Sequence, residues 1–228
     1  SSYPARVWPI VFCNMLLTRV LWRTDVEGKI SLPANSGGVI VCNHCTSVDP
    51  FFVQLVAGRI VHWFVAREYF KIPVVGSFLR SCEAIPTNRG GVDTASTKTA
   101  IRYAKSGELV GILPEGRIND TDQFLLPGRP GALMIAIKSR VPIIPCYLFD
   151  VPYDGTFWGC LFMPARVRLV VGQPLDLSQY YDQQLTSELL AELTIVVLRR
   201  IAELGGQPDY QPQVAGRRWK TGRQMTNA

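Results

Sequence analysis

The stretch Val41-Cys42-Asn43-His44-Cys45-Thr46-Ser47-Val48-Asp49-Pro50 sets a histidine five residues before an aspartate that is followed by proline. Asp before Pro is a helix-start pattern, with the carboxylate at the N-cap and the proline at the first helical position. His44 is therefore expected on a strand-to-helix turn. Such a turn can fold back so that Asp49 accepts one ring N–H and leaves the other ring nitrogen basic and facing a cleft. An imidazole ionises near neutral pH, which suits removal of a proton from a hydroxyl. By themselves, the same residues also describe a histidine satisfied in the core beside a capping aspartate. Two further stretches carry polar chemistry. Leu113-Pro114-Glu115-Gly116-Arg117 offers a carboxylate, exposed backbone N–H groups and a guanidinium. In Ile85-Pro86-Thr87-Asn88-Arg89-Gly90-Gly91, Arg89 precedes two glycines and a helical pattern, an arrangement that suits a phosphate. Each of these, taken singly, is also what a solvated turn looks like.

Cys42-x2-Cys45 is formally a redox motif, and an intervening histidine can depress a thiol pKa. Cys42, however, falls inside an apolar strand pattern, whereas a reactive cysteine of this kind sits at a helix start. A closed zinc site needs four ligands, and no second cysteine pair or nearby histidine supplies them. The only other histidine, His62, lies in an apolar run and reads as a core or surface residue. Cys13, Cys82, Cys146 and Cys160 stand singly in apolar runs and are expected as buried small hydrophobes rather than disulfide partners. A serine hydrolase is disfavoured because no Gly-x-Ser-x-Gly elbow is present.

The elements that must position these residues follow from hydrophobic periodicity. Short apolar, β-branched runs at 38–43, 60–65, 109–113, 142–149 and 166–171 predict strands. Helical spacing at 49–57, 93–105, 131–139 and 185–204 predicts the helices between them. Strand and helix alternate, so the fold expected is α/β: a single domain with a mostly parallel mixed sheet flanked by helices, preceded by an N-terminal amphipathic helical segment. Ligands in such sheets bind beyond the carboxyl ends of the strands, where His44 and Glu115 fall.

With 228 residues and 47% apolar composition, the chain has ample material for one core. Its net charge of +6 is confined to the ends. Residues 1–23 carry Arg6, Arg19 and Arg23 and no acid; residues 205–228 carry Arg217, Arg218, Lys220 and Arg223 against Asp209, and the middle of the chain is neutral. A nucleic-acid binder spreads positive charge over a folded face; basic ends beside apolar sequence suit an anionic membrane surface. The apolar stretch 7–22 is interrupted by Pro9, Asn14, Thr18 and Arg19 and is shorter than the ~20 residues of a spanning helix. Asn14, Thr18 and Arg19 form a narrow polar stripe, with tryptophan near both ends. The pattern fits a helix lying in the headgroup layer and equally one packed on the domain. The cleavage-site pattern of a secretory signal is absent. The organisation expected is a membrane-interface helical segment at 1–23, a domain at 24–204 and a basic polar tail at 205–228.

In order, Asn43-His44-x4-Asp49-Pro50, Ile85 to Arg89, Pro114-Glu115-Gly116 and Val141-Pro142-Ile143-Ile144-Pro145 resemble the four blocks of the glycerolipid acyltransferases of the lysophosphatidate (1-acylglycerol-3-phosphate) acyltransferase type. The resemblance covers about residues 38–150. It implies His44 as general base, Asp49 as its orienter, and Arg89, Glu115, Gly116 and Arg117 at the phosphate of the acceptor. It further implies direct attack of a lysophospholipid hydroxyl on the thioester of acyl-CoA or acyl carrier protein, with no acyl-enzyme, metal or other cofactor. The partners implied are the lysophospholipid, the acyl thioester and a membrane surface, not nucleic acid, at a membrane-associated location on the cytoplasmic face. Two departures are visible. Arg117 follows Gly116 directly, where the family usually has Thr and then Arg, and Leu113 replaces the usual Phe. The altered loop leaves room for a different lysolipid acceptor, or for a peripheral membrane protein that keeps the fold without catalysis. Arg129 and Gly131 also resemble a basic-residue–Gly stretch of the family.

Overall fold

The computed structural model describes residues 3–33, 35–88, 93–156 and 158–216. Its strands are β1 (Asp25–Glu27), β2 (Gly38–Cys42), β3 (Val61–Ala66), β4 (Ile85–Thr87), β5 (Leu109–Ile112), β6 (Ile143–Phe149) and β7 (Arg168–Val171). They form one seven-stranded sheet in the order β1-β7-β6-β2-β5-β3-β4. All neighbouring pairs are parallel except β6 with β7. The helices are α1 (Trp8–Leu16), α2 (Asp49–Ala57), α3 (Pro73–Ser81), α4 (Thr94–Lys105), α5 (Gly131–Ser139) and α6 (Ser187–Leu204). The alternation expected from the sequence is thus an α/β domain with a mostly parallel sheet.

β2 lies between β6 and β5, with Val41 opposite both Pro145 and Ile112. All five of its residues are buried, as a strand covered on both faces requires. Val39 and Val41 point into a core shared with α4, α5 and α6, whereas Ile40 and Cys42 point into a second core with Phe52, Val53 and Trp22. The period of two along one strand therefore feeds both layers. Asp93 caps α4 by accepting the Ser96 N–H, and Thr186 caps α6 by accepting that of Leu189.

Three elements lie outside the periodic signals. β1 and β4 have three residues each, too short for an alternation to register, and β4 carries Pro86, which is tolerated because β4 is an edge strand. α3 contains Gly76 in its middle and presents Val74, 81% exposed, to solvent, which blurs its apolar face.

The N-terminal helix packs with its faces reversed. Two of its three polar-stripe residues turn inward, while Arg19 stays exposed: Asn14 and Thr18 are 5% and 0% exposed, and Asn14 Nδ2 donates to the Phe51 carbonyl at 3.0 Å. Thr18 Oγ1 donates to the Asn14 carbonyl at 2.7 Å. After Leu16 the helix widens into a five-residue turn, Leu17–Leu21. Trp8, Phe12, Leu16 and Val20, spaced four residues apart, are exposed. Cys13, expected inside, is exposed as well, because it shares the outer side of α1. Trp22 is no surface anchor; it is fully buried, with its ring centroid 6.0 Å from that of Phe51 and 5.1 Å from that of Phe52.

The segment after Leu204, expected as a tail, first packs on the domain. Tyr210 donates its hydroxyl to the Leu125 carbonyl and sets its ring against Phe124, and Val214 bridges Gly128. The basic residues Arg217, Arg218, Lys220 and Arg223 lie outside the described residues.

Gly111 on β5 faces Trp63 on β3 in register, and a Cβ there would lie 2.4 Å from the indole ring. Gly111→Ala should therefore destabilise the protein by about 1–3 kcal/mol through overpacking at the sheet centre. Thermal denaturation monitored by circular dichroism checks this; an unchanged Tm would mean that Trp63 is free to move aside.

Candidate active site

The chain leaves β2 through Asn43, whose side chain replaces the next rung of the ladder. Its Oδ1 accepts the Leu148 N–H at 2.8 Å and its Nδ2 donates to the Leu148 carbonyl at 3.0 Å. His44 follows and is held by its own backbone from the neighbouring loop. Its N–H donates to Glu115 Oε1 at 2.8 Å, and its carbonyl accepts the Asn119 N–H at 2.7 Å. The loops after β2 and β5 are joined on both sides of this one residue.

The imidazole turns back toward α2, and Nδ1 lies 2.9 Å from Asp49 Oδ2. The same oxygen accepts the backbone N–H groups of Cys45 at 2.8 Å and Thr46 at 3.0 Å. Asp49 was expected as the N-cap; Val48 holds that position instead, and Asp49 opens the helix. The difference is chemical: the carboxylate closes on the turn before it rather than on the helix ahead. It is fully buried, in the first turn, where the helix dipole favours negative charge. An ionised carboxylate only accepts, so Nδ1 carries the proton, and Nε2 of the neutral ring presents a lone pair. Nε2 makes no hydrogen bond among the described residues, and the side chain is 17% exposed. A positioned proton acceptor at the carboxyl end of a central strand is what general-base chemistry on a hydroxyl requires.

Glu115, which the family resemblance sets at the acceptor phosphate, turns its carboxylate inward to backbone donors. It is 1% exposed, and its second oxygen accepts the Leu126 N–H at 2.8 Å. With both oxygens turned to backbone donors, it ties the turn after β2 to the loop that leads into α5. Burial raises its pKa from 4.5 to about 7, the two N–H donors opposing the rise only in part. Gly116 takes the left-handed conformation (φ 70°). A Cβ there would lie 3.4 Å from Arg129 Nε, so the arginine of the basic-residue–Gly stretch lies beside the Gly116–Arg117 turn. Arg117 is half-buried. Arg89 and the two glycines after it lie outside the described residues.

The rival uses of the other groups are not supported by their surroundings. Burial holds the Cys42 and Cys45 thiols well above their ordinary pKa, and Cys45 Sγ faces Asn43 Nδ2 at 3.1 Å. His62 is 2% exposed and stacked on Tyr103 with ring centroids 3.6 Å apart. Among the described residues no three His, Cys, Asp or Glu side chains group as metal ligands.

A buried Asp–His pair on a strand-to-helix turn, at the end of a central strand of a mostly parallel sheet, is an arrangement suited to group-transfer enzymes that use a base. The profile of the family described as Acyltransferase matches residues 23–148, which contain all of this constellation. The chain belongs to the Acyltransferase family. It is 34% identical over 188 residues to a 1-acyl-sn-glycerol-3-phosphate acyltransferase of Bacillus subtilis, a match covering 81% of this chain and 89% of that protein. A 1-acyl-sn-glycerol-3-phosphate acyltransferase of Borreliella burgdorferi is 29% identical over 172 residues, with 71% and 66% covered. The fold is similar to that of the 1-acyl-sn-glycerophosphate (LPA) acyltransferase PlsC from Thermotoga maritima, with a TM-score of 0.67, 24% identity, and 86% of this chain and 78% of that chain covered.

Glu115→Gln keeps the shape but turns an amide NH2 toward one of two backbone N–H donors. We expect a loss of about 1–3 kcal/mol and a slower enzyme, because the His44 turn loses an anchor. The native carboxyl binds its proton more tightly than the unfolded one. Its contribution to wild-type stability should therefore decline as pH rises from 4.5 to about 7. Denaturant titrations at several pH values check both; a Gln variant with the wild-type pH dependence would remove Glu115 as its source.

Proposed function

We propose that this acyltransferase moves a fatty acyl group from an acyl thioester, acyl-CoA or acyl carrier protein, to the hydroxyl of a lysophospholipid. The preferred acceptor is 1-acylglycerol-3-phosphate and the product phosphatidic acid. The observation that carries this reading is the His44–Asp49 pair, with Nδ1 occupied at 2.9 Å and Nε2 without a hydrogen bond among the described residues. The acceptor is the one for which the relatives from Bacillus subtilis and Borreliella burgdorferi are named.

In this mechanism Nε2 removes the proton of the acceptor hydroxyl as its oxygen attacks the thioester carbonyl. Asp49 Oδ2 fixes the ring and stabilises the imidazolium that forms. The tetrahedral adduct collapses with loss of the thiolate, which takes up the proton held by His44. Ester forms, thioester breaks, and the base is regenerated with no acyl-enzyme and no metal or cofactor assigned. Arg117 and Arg129, beside the Gly116 turn, are the cations we assign to the acceptor phosphate, together with Arg89. The assembled His44–Asp49 pair counts against a non-catalytic protein with this fold.

The acceptor resides in a bilayer, and the exposed apolar face of α1 supports a membrane-bound enzyme. No helix among the described residues is long and apolar enough to cross a membrane. We assign α1 to one leaflet, at the cytoplasmic face, with its polar stripe on the protein and its apolar side in lipid.

Product analysis by mass spectrometry, after incubation with acyl-CoA or acyl carrier protein thioester and a panel of lysophospholipids, tests the reaction. His44→Ala should lower turnover by roughly 10²- to 10⁴-fold with the fold retained. Asp49→Asn should also lower it. Near wild-type turnover in folded His44→Ala would refute the base. Arg129→Ala should raise the KM for the acceptor much more than that for the thioester. A normal acceptor KM would take Arg129 out of the phosphate site.

A further inference from the structure

Where the N-terminal helix ends, a basin of about 320 Å3 is lined by Arg19, Arg23, Thr24, Asp25 and Arg166. Three arginines line it, although Arg166 is more than 140 positions from the other two. The meeting is fixed by backbone: the N–H groups of Ala165 and Val167 donate to the carbonyls of Leu21 and Trp22 at 3.1 and 3.2 Å, and Asp25 N–H donates to Val167 O at 2.8 Å. Val167 is buried, so its neighbour Arg166 is turned outward on the opposite side of the chain. None of the three arginines forms an ion pair within the described residues.

Arg19 and Arg23 could be explained as cations complementing a helix C-terminus; Arg166 has no such reason to be there. Arg23 also holds φ 32°, a conformation that glycine would adopt without strain. At the same place Thr24 Oγ1 is buried without a hydrogen-bond partner among the described residues. The basin therefore sets three arginines against the one carboxylate of Asp25, with the unsatisfied Thr24 hydroxyl among its lining residues. Arg6, the remaining N-terminal cation, is not part of it, because it pairs with Glu83.

What lies beside the basin selects the ligand. Arg19 and Arg23 continue from the exposed face of Phe12, Leu16 and Val20, which are 66%, 54% and 65% exposed. Phe162, 80% exposed, belongs to the same segment as Arg166. Cationic donors bordered by apolar surface complement a molecule with a phosphate at one end and acyl chains at the other. A soluble phosphate would leave the apolar part unused.

We propose that Arg19, Arg23 and Arg166, with Thr24, form a binding site for the phosphate headgroup of an anionic phospholipid in the leaflet, separate from the acceptor site at His44. The site rests on the membrane reading above and adds to it a place where lipid charge is recognised. It seats the wide end of the N-terminal helix at headgroup depth while α1 lies among the chains.

The test is co-sedimentation of the full chain with vesicles of phosphatidylcholine alone or mixed with phosphatidylglycerol, at low and high salt. Arg166→Gln should weaken binding to the mixed vesicles about fivefold at low salt, the effect of one basic residue near an anionic surface. The loss should shrink at high salt and be absent on phosphatidylcholine. Arg19→Gln should behave alike, and turnover of a dispersed short-chain acceptor should stay at the wild-type level in both. Lys138→Gln, which removes the same charge from α5 on the other side of the sheet, should have little effect. An equal loss in Lys138→Gln would overturn the site in favour of general charge attraction. A parallel loss on the dispersed acceptor would overturn it by moving the arginines into catalysis. Wild-type protein that pellets with neither vesicle would refute the membrane reading itself, and this site with it.

Discussion

Two buried carboxylates at the ends of the central strands hold the site together, and both do so through backbone N–H groups. Asp49 Oδ2 gathers the N–H groups of Cys45 and Thr46 with the imidazole of His44. Glu115 takes the N–H of His44 itself and that of Leu126. A carboxylate removed from water is costly unless it is multiply hydrogen-bonded. The chain must therefore curl around each one, and His44 is trapped where the two curls meet. Its ring orientation, its proton position and the direction of Nε2 all follow from that constraint.

The sheet makes this meeting possible. β2 and β5 are neighbours although β3, β4 and three helices separate them in the chain. Their carboxyl ends lie side by side, so the turn after one can bond to the loop after the other. Asn43 adds a third tie, to β6 at Leu148, by using its amide as a substitute peptide group. Three adjacent strands thus converge on one turn. The position of His44 is set by backbone hydrogen bonds from the loops around it.

The N-terminal helix works by the opposite logic from a soluble amphipathic helix. Its few polar side chains satisfy one another and the Phe51 carbonyl against the domain, which leaves apolar residues outside. In water that arrangement exposes surface with no compensating gain. That surface is the basis of the leaflet assignment proposed above. The wide turn Leu17–Leu21 then lets the chain swing Trp22 into the core and begin the edge of the sheet.

The sequence by itself determined the long periodic elements. α2 and α5 begin and end where helical spacing and the flanking Pro and Gly signals put them, and β2, β5 and β6 follow the apolar runs to within about a residue. It also determined that His44 and Asp49 sit on one turn, because their partnership is local. Only the tertiary structure decided the role of Glu115. A Glu after a Pro at a strand end looks the same whether it turns inward to backbone N–H groups or outward to a phosphate; that choice depends on a loop 71 positions away. The same holds for Arg129 beside Gly116 and for Arg166 beside Arg19 and Arg23. The direction of α1 was undecided for a related reason. Its polar stripe and apolar face are visible in the residues, but which of them meets the protein depends on partners distant in the chain, among them the Phe51 carbonyl that accepts from Asn14. Local periodicity specifies elements; contacts between residues distant in the chain specify which of their faces and side chains do the chemistry.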